Sequence, residues 1–125
     1  MLKLIAKIFG TKSEKDIKRI MPLVNQSKQE YEKLSAHSHD ELRDETRKIR
    51  EQIAAELKHI DDNLASLHQK IADTPDMDIN EKEGVFAQID KIEEDRNKEL
   101  EKILLKVLPK TFAIVRETAR RFKEN

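Results

Sequence analysis

A chain of 125 residues has room for at most one ordinary domain. Charged residues make up 40% of it and hydrophobic ones 37%, with four Phe, one Tyr and no Trp. That composition excludes a thick globular core and suits long helices with narrow buried stripes. The absence of Cys excludes disulfides and thiolate metal sites and fits a cytosolic protein. No run approaches the roughly 18 apolar residues of a membrane span.

The net charge of zero hides an asymmetry. Residues 1–22 are net +4, residues 73–101 net −7 and residues 102–125 net +5. Basic ends around an acidic middle do not make a nucleic-acid footprint.

The pattern predicts a first short helix over Leu2 to Phe9, ended by Gly10. Leu4, Ile5 and Ile8 form its apolar face, with Leu2 and Phe9 at the margins. Lys3, Lys7 and Lys12 supply positive charge. The lysines interrupt the apolar run and no small-residue cleavage site follows, so this is not a signal peptide. A basic amphipathic helix of this kind suits an anionic lipid surface; the simpler alternative is a helix packed on its own domain. A second helix is expected from an N-cap at Ser13, with a stripe of Ile17, Ile20/Met21, Val24, Tyr31 and Leu34. Pro22 should kink or delay it.

After a polar break at 35–39, Ser38 and Glu41 form a capping-box pair that opens a third helix running to about Ala72. Asp73-Thr74-Pro75-Asp76 is the turn. A fourth helix starts near Asp78 or Asn80 and reaches Leu108, where Pro109 should force a break or bend. A fifth covers 110–122, with Phe112, Val115, Ala119 and Phe122 on one face.

The third and fourth helices pair by register. Ile49, Ile53, Leu57, Ile60, Leu64, Leu67 and Ile71 recur at spacings of three and four, as do Val85, Ile89, Ile92, Arg96, Leu100, Ile103 and Val107. Folded about the turn, Ile71 meets Val85, Leu67 meets Ile89, Leu64 meets Ile92, and Leu57 meets Leu100. Ile53 then meets Ile103 and Ile49 meets Val107, the constant register of an antiparallel hairpin. Arg96 falls opposite Ile60, its stem along the seam and its guanidinium reaching water, Asp61 or Asp95. The fold class is therefore all-α: an elongated, coiled-coil-like antiparallel hairpin with a small helical base. The boundaries are 1–12 for the basic N-terminal helix, 13–37 for the base helix, 38–108 for the hairpin with its tip near 73–78, and 109–125 for the last helix.

Residues that carry chemistry elsewhere have simpler explanations here. His59 and His68 fall on different helix faces, and His37 and His39 lie in the break; no H-E-x-x-H occurs. Asp90, Glu93, Glu94 and Asp95 match no cation-binding loop, and a solvated coiled-coil face explains the acids of the hairpin. Ser35, Ser38 and Asp40 read as caps. The only glycines are Gly10 and Gly84, so no Gly-rich phosphate loop is present. No catalytic, cofactor-binding or metal-binding residue is assigned.

One string is distinctive beyond its periodicity. Leu108-Pro109-Lys110-Thr111-Phe112-Ala113-Ile114-Val115-Arg116-Glu117-Thr118-Ala119-Arg120-Arg121 closely resembles the segment leading into the first motor domain of SecA, the preprotein translocase ATPases of bacteria. Ile17-Lys18-Arg19-Ile20 through Val24-Asn25 resembles the family's basic first long helix. Leu34-Ser35, Asp40-Glu41-Leu42 and Thr46 resemble its Leu-Ser-Asp-Glu-Glu-Leu…Thr stretch. The three pieces stand in the family's order over residues 1–50 and 108–122, while 51–107 reads as a long insertion.

The resemblance implies an N-terminal helical part of SecA, ending before the ATPase motor. The parent would use ATP and Mg to drive preproteins through the SecYEG channel, whereas this segment would have no enzyme activity of its own. Its implied duties are attachment, self-association into a homodimer and bracing of the motor, in the cytoplasm at the inner face of the membrane. The implied contacts with lipid or channel are Leu2, Lys3, Leu4, Ile5, Lys7, Ile8, Phe9 and Lys12. Phe112, Val115, Arg116, Glu117, Arg120 and Arg121 stand at the entry to the motor as structural contacts. A free-standing coiled-coil adaptor or holdase chaperone is the alternative that the periodicity fits equally well.

Overall fold

The computed structural model describes residues 2–125, without the side chains of Ala6 and Phe9. Among the described residues there are four helices and no strand: α1 (Leu2–Phe9), α2 (Lys12–Leu34), α3 (His39–Asp73) and α4 (Ile79–Glu124). The all-α class and the helical hairpin follow the sequence reading. The chain divides into two compact units, a base of Met1–Thr46 with Val107–Asn125 and a hairpin of Arg47–Lys106.

The hairpin has the register derived from the sequence. Every seam position from Ile53 to Ile71 and from Val85 to Ile103 is buried or half-buried. At the tip, Met77, Val85 and Ile89 form a core against which Leu64, Leu67 and Ile71 pack. Met77 is the member that periodicity missed, because it lies in the turn. The turn is fastened by hydrogen bonds from the Thr74 amide to the Ile71 carbonyl and from the Met77 amide to the Thr74 carbonyl. Asp78 caps α4 by accepting from the Asn80 amide at 2.9 Å.

Arg96 resolves as a cross-hairpin partner of Asp61, with Nε donating to Oδ1 at 2.5 Å. That hydrogen bond holds the Asp61 carboxyl below its ordinary range. Lys106 to Glu56 and Lys70 to Glu81, both 3.1 Å, tie the two helices further.

In the base, Gly10 takes φ 75°, which separates α1 from α2. A side chain there would be strained, and its Cβ would meet the Glu14 carboxylate at 2.8 Å. The cap of α2 is Thr11, not Ser13. Its side chain accepts from the Glu14 amide while Glu14 returns a bond to the Thr11 amide, a complete capping box. Two such bonds satisfy more orphan donors than a lone serine at 13. The expected box of Ser38 and Glu41 is present at α3.

Both prolines are carried inside helices. Pro22 is exposed, so the carbonyl that it leaves without a donor is open to water. Pro109 does not split the chain into a fourth and a fifth helix; α4 runs through it. Its ring is buried, and the Thr111 hydroxyl donates to the Val107 carbonyl at 2.9 Å in the same turn. Burial of Val107, Ala113 and Ile114 on either side offsets the one missing backbone bond.

Candidate functional site

The base carries two features with functional content: an uncovered apolar surface and a buried ionic lock.

The uncovered surface begins at α1. Its apolar side chains range from 51% exposed at Ile5 to 85% at Leu2, with Leu4 and Ile8 between them. Lys3, Lys7 and Lys12 are exposed beside them. The Phe9 side chain lies outside the described residues. The apolar face of α1 is thus not spent on the core. The same holds for the start of α2, where Ile17, Ile20 and Met21 were expected in a buried stripe and are exposed. Only the later part of α2 is anchored, through half-buried Val24 and Tyr31 and buried Leu34.

The last turns of α4 present a correction. Phe112, Val115, Ala119 and Phe122 do form one face, but it points outward, with Phe112, Val115 and Phe122 all more than half exposed. The buried face is Pro109, Ala113, Ile114 and Glu117. The string Phe-Ala-Ile-Val places apolar groups around most of the helix. The inward face is the one that carries an ionic cluster.

Glu117 is fully buried. Its two oxygens accept from Arg120 Nη2 at 2.7 Å and Nε at 3.0 Å, and from Arg121 Nε at 2.8 Å. The Arg120 hydrogen bonds, with support from Arg121, outweigh desolvation and hold the carboxyl at about 2. Arg120 also pairs with Glu124, and both acids push its own proton affinity up. A carboxylate so held is a poor proton acceptor.

Arg121 extends the lock. Its Nη2 donates to the His37 carbonyl at 2.6 Å and lies 3.4 Å from the Leu34 carbonyl. Its Nη1 meets His39 Nδ1 at 3.0 Å. These carbonyls close α2 and the link to α3, where a helix end lacks intrahelical donors. Glu45, also buried, pairs with Lys110 and lies 3.7 Å from His37 Nε2. Arg116 sits 4.0 Å above the ring of Tyr31, joining α4 to α2. Glu117, Arg120 and Arg121 are thus engaged inside the base, whereas Phe112 and Val115 are left free.

Comparison with known proteins adds the decisive observation. A family model described as the SecA DEAD-like domain matches residues 5–125. The chain belongs to the SecA family. Its relatives include the protein translocase subunit SecA of Cytophaga hutchinsonii, 54% identical over 125 residues that cover 100% of this chain and 11% of the relative. The SecA subunit of Amoebophilus asiaticus is 46% identical over the same coverage. That of Prosthecochloris aestuarii is 37% identical over 123 residues, 98% of this chain and 12% of the relative. The chain thus spans little more than a tenth of the length of these curated relatives. No solved structure matches it. Residues 51–107 fall within the matched stretch of these relatives. Among the described residues, no helix is long and apolar enough to cross a membrane.

Proposed function

We propose that this chain is the N-terminal attachment and bracing segment of a SecA-type motor. The parent uses ATP to move preproteins through the SecYEG channel in this reading, and the segment contributes no chemistry. The observation that carries the proposal is the division of labour in the base. The basic amphipathic α1 leaves its apolar face uncovered, while Glu117, Arg120 and Arg121 lock α4 to the end of α2.

An exposed apolar face flanked by lysines suits the interface of an anionic membrane, with self-association as a second use of the same surface. The segment then acts in the cytoplasm as a peripheral membrane attachment. The outward stripe of Phe112, Val115, Ala119 and Phe122 offers the motor a docking strip, held in orientation by the lock behind it. ATP and Mg belong to the parent's motor in this reading.

The reading frame beyond the Asn125 codon discriminates this from a free-standing adaptor or holdase. A G-x-x-x-x-G-K-[ST] loop encoded soon after it is the expected finding. A stop codon at that point would overturn the motor reading in favour of the adaptor.

A further inference from the structure

The acids of the hairpin fall into two sets. Along α4, Glu81 pairs with Lys70, Glu94 with Lys98, Asp95 with Lys91 and Glu99 with Lys102. Among the described residues between Ile79 and Lys106, four acids have no ion-pair partner: Glu83, Asp90, Glu93 and Glu101. At about 100° per residue these four lie within about 40° of one line along the helix. The same line carries Ile79, 73% exposed, and Phe86, 45% exposed. Lys82 is half-buried at the edge of this face, and Arg96, hydrogen-bonded to Asp61, also feels the charge of Glu93 without forming a salt bridge to it. Negative charge free of salt bridges and exposed apolar groups thus coincide on one strip, whereas the paired Glu81, Asp95 and Glu99 lie well off it and the paired Glu94 lies at its edge.

The chemistry of the strip narrows its partner. Glu83 and Asp90 are two turns apart, about 10 Å along the axis, and Asp90 with Glu93 leaves only two neighbouring carboxylates, short of the roughly six to eight oxygens of a calcium site; no group of three or more potential ligands occurs among the described residues. Anionic lipid and nucleic acid are repelled by unpaired carboxylates. Ile79 and Phe86 stand seven residues apart, the repeat at which one helix packs its apolar groups against another. We propose that this face of α4 docks a cationic amphipathic helix of a second protein. Its apolar side chains would cover Ile79 and Phe86, and its Lys or Arg would reach Glu83, Asp90 and Glu93. The proposal uses none of the residues assigned to attachment or bracing.

The test is an NMR titration of the isotope-labelled 125-residue chain. The probe is a synthetic helix of about 18 residues with Leu at heptad spacing and Lys flanking it. A matched peptide with Glu in place of Lys is the control. Exposed rim charges and a small contact predict micromolar dissociation, with shift changes confined to residues 79–101. Combining Glu83→Gln, Asp90→Asn and Glu93→Gln should weaken binding by about tenfold or more. Phe86→Ser should weaken it independently. Removing the same charge from the paired acids, by Glu94→Gln, Asp95→Asn and Glu99→Gln, should change it by less than about threefold. Equal weakening by the two triple variants, shift changes centred elsewhere, or indifference to Phe86→Ser would overturn the proposal. Tighter binding by a peptide of residues 1–12 of this chain would also overturn it, making a second copy the occupant.

Discussion

Glu117→Gln is expected to lower the melting temperature by on the order of 10 °C, the largest effect of any single polar substitution in the base. The amide keeps the shape of the side chain but removes the charge that two guanidiniums surround. Arg121 is only 12% exposed at its side chain, so it would be left largely buried without an anion. Removing one partner of such a pair costs about 3 kcal/mol or more. The same group sets an acid dependence. Its folded value of about 2 lies below the ordinary 4.5, so its stabilisation is complete above pH 4.5 and is lost as pH falls from there towards 2. At about 1.4 kcal/mol per unit, discounted because Arg120 is 37% exposed, the loss is roughly 2 kcal/mol. Thermal melts of wild type and Glu117→Gln from pH 7 to pH 2 check both statements. The variant should lack this part of the acid slope; a melting point within about 2 °C of wild type at pH 7 would contradict the lock.

Ile89→Asp should be still more damaging to the hairpin. Ile89 is 4% exposed and belongs to the tip core with Met77 and Val85. The substitution deletes a buried aliphatic group and inserts a charge, together on the order of 4 kcal/mol or more. Glu94→Ala, which loses only an exposed pair with Lys98, should cost a few tenths of a kcal/mol. Denaturant titration of the two variants reads the difference. Equal losses would mean that the seam lies on another face of α4.

The hairpin was legible because one rule dominates it. Two long helices that bury only each other must place their apolar residues at matching three- and four-residue steps, and Arg96 with Asp61 is the one polar interruption. The box of Ser38 and Glu41 was legible for a similar reason, since a local motif needs no knowledge of the tertiary fold. The base was less so. Its last helix has apolar residues on two faces, and periodicity favoured Phe112 and Val115 because they are large. The face that is buried contains a glutamate, made tolerable by Arg120 and Arg121, the latter also reaching the carbonyls of Leu34 and His37. Only a signal outside periodicity, the spacing of Glu117 from arginines three and four residues on, pointed there. Pro109 misled for a related reason. A proline ends a helix unless packing on both sides holds it, and that packing is not visible in local sequence. The exposed start of α2 followed from the same limit: Ile17 and Ile20 have helical spacing, but spacing does not say whether anything covers them.

In the proposed function α1 attaches this segment to anionic membrane while the rest of the base folds without it. Co-sedimentation of the chain and of a variant lacking residues 1–10, with anionic and with neutral vesicles at two salt concentrations, tests it most directly. The full chain should bind anionic vesicles. Binding should weaken between about 0.1 M and 1 M salt, as the screening length falls from about 10 Å to about 3 Å. The burial of Leu4, Ile5 and Ile8 should leave a salt-resistant remainder. The truncated chain should stay in solution with α2, α3 and α4 still helical, because no seam position lies in the deleted segment. Equal binding by the two chains, or binding indifferent to lipid charge, would contradict the account and return α1 to a packing role.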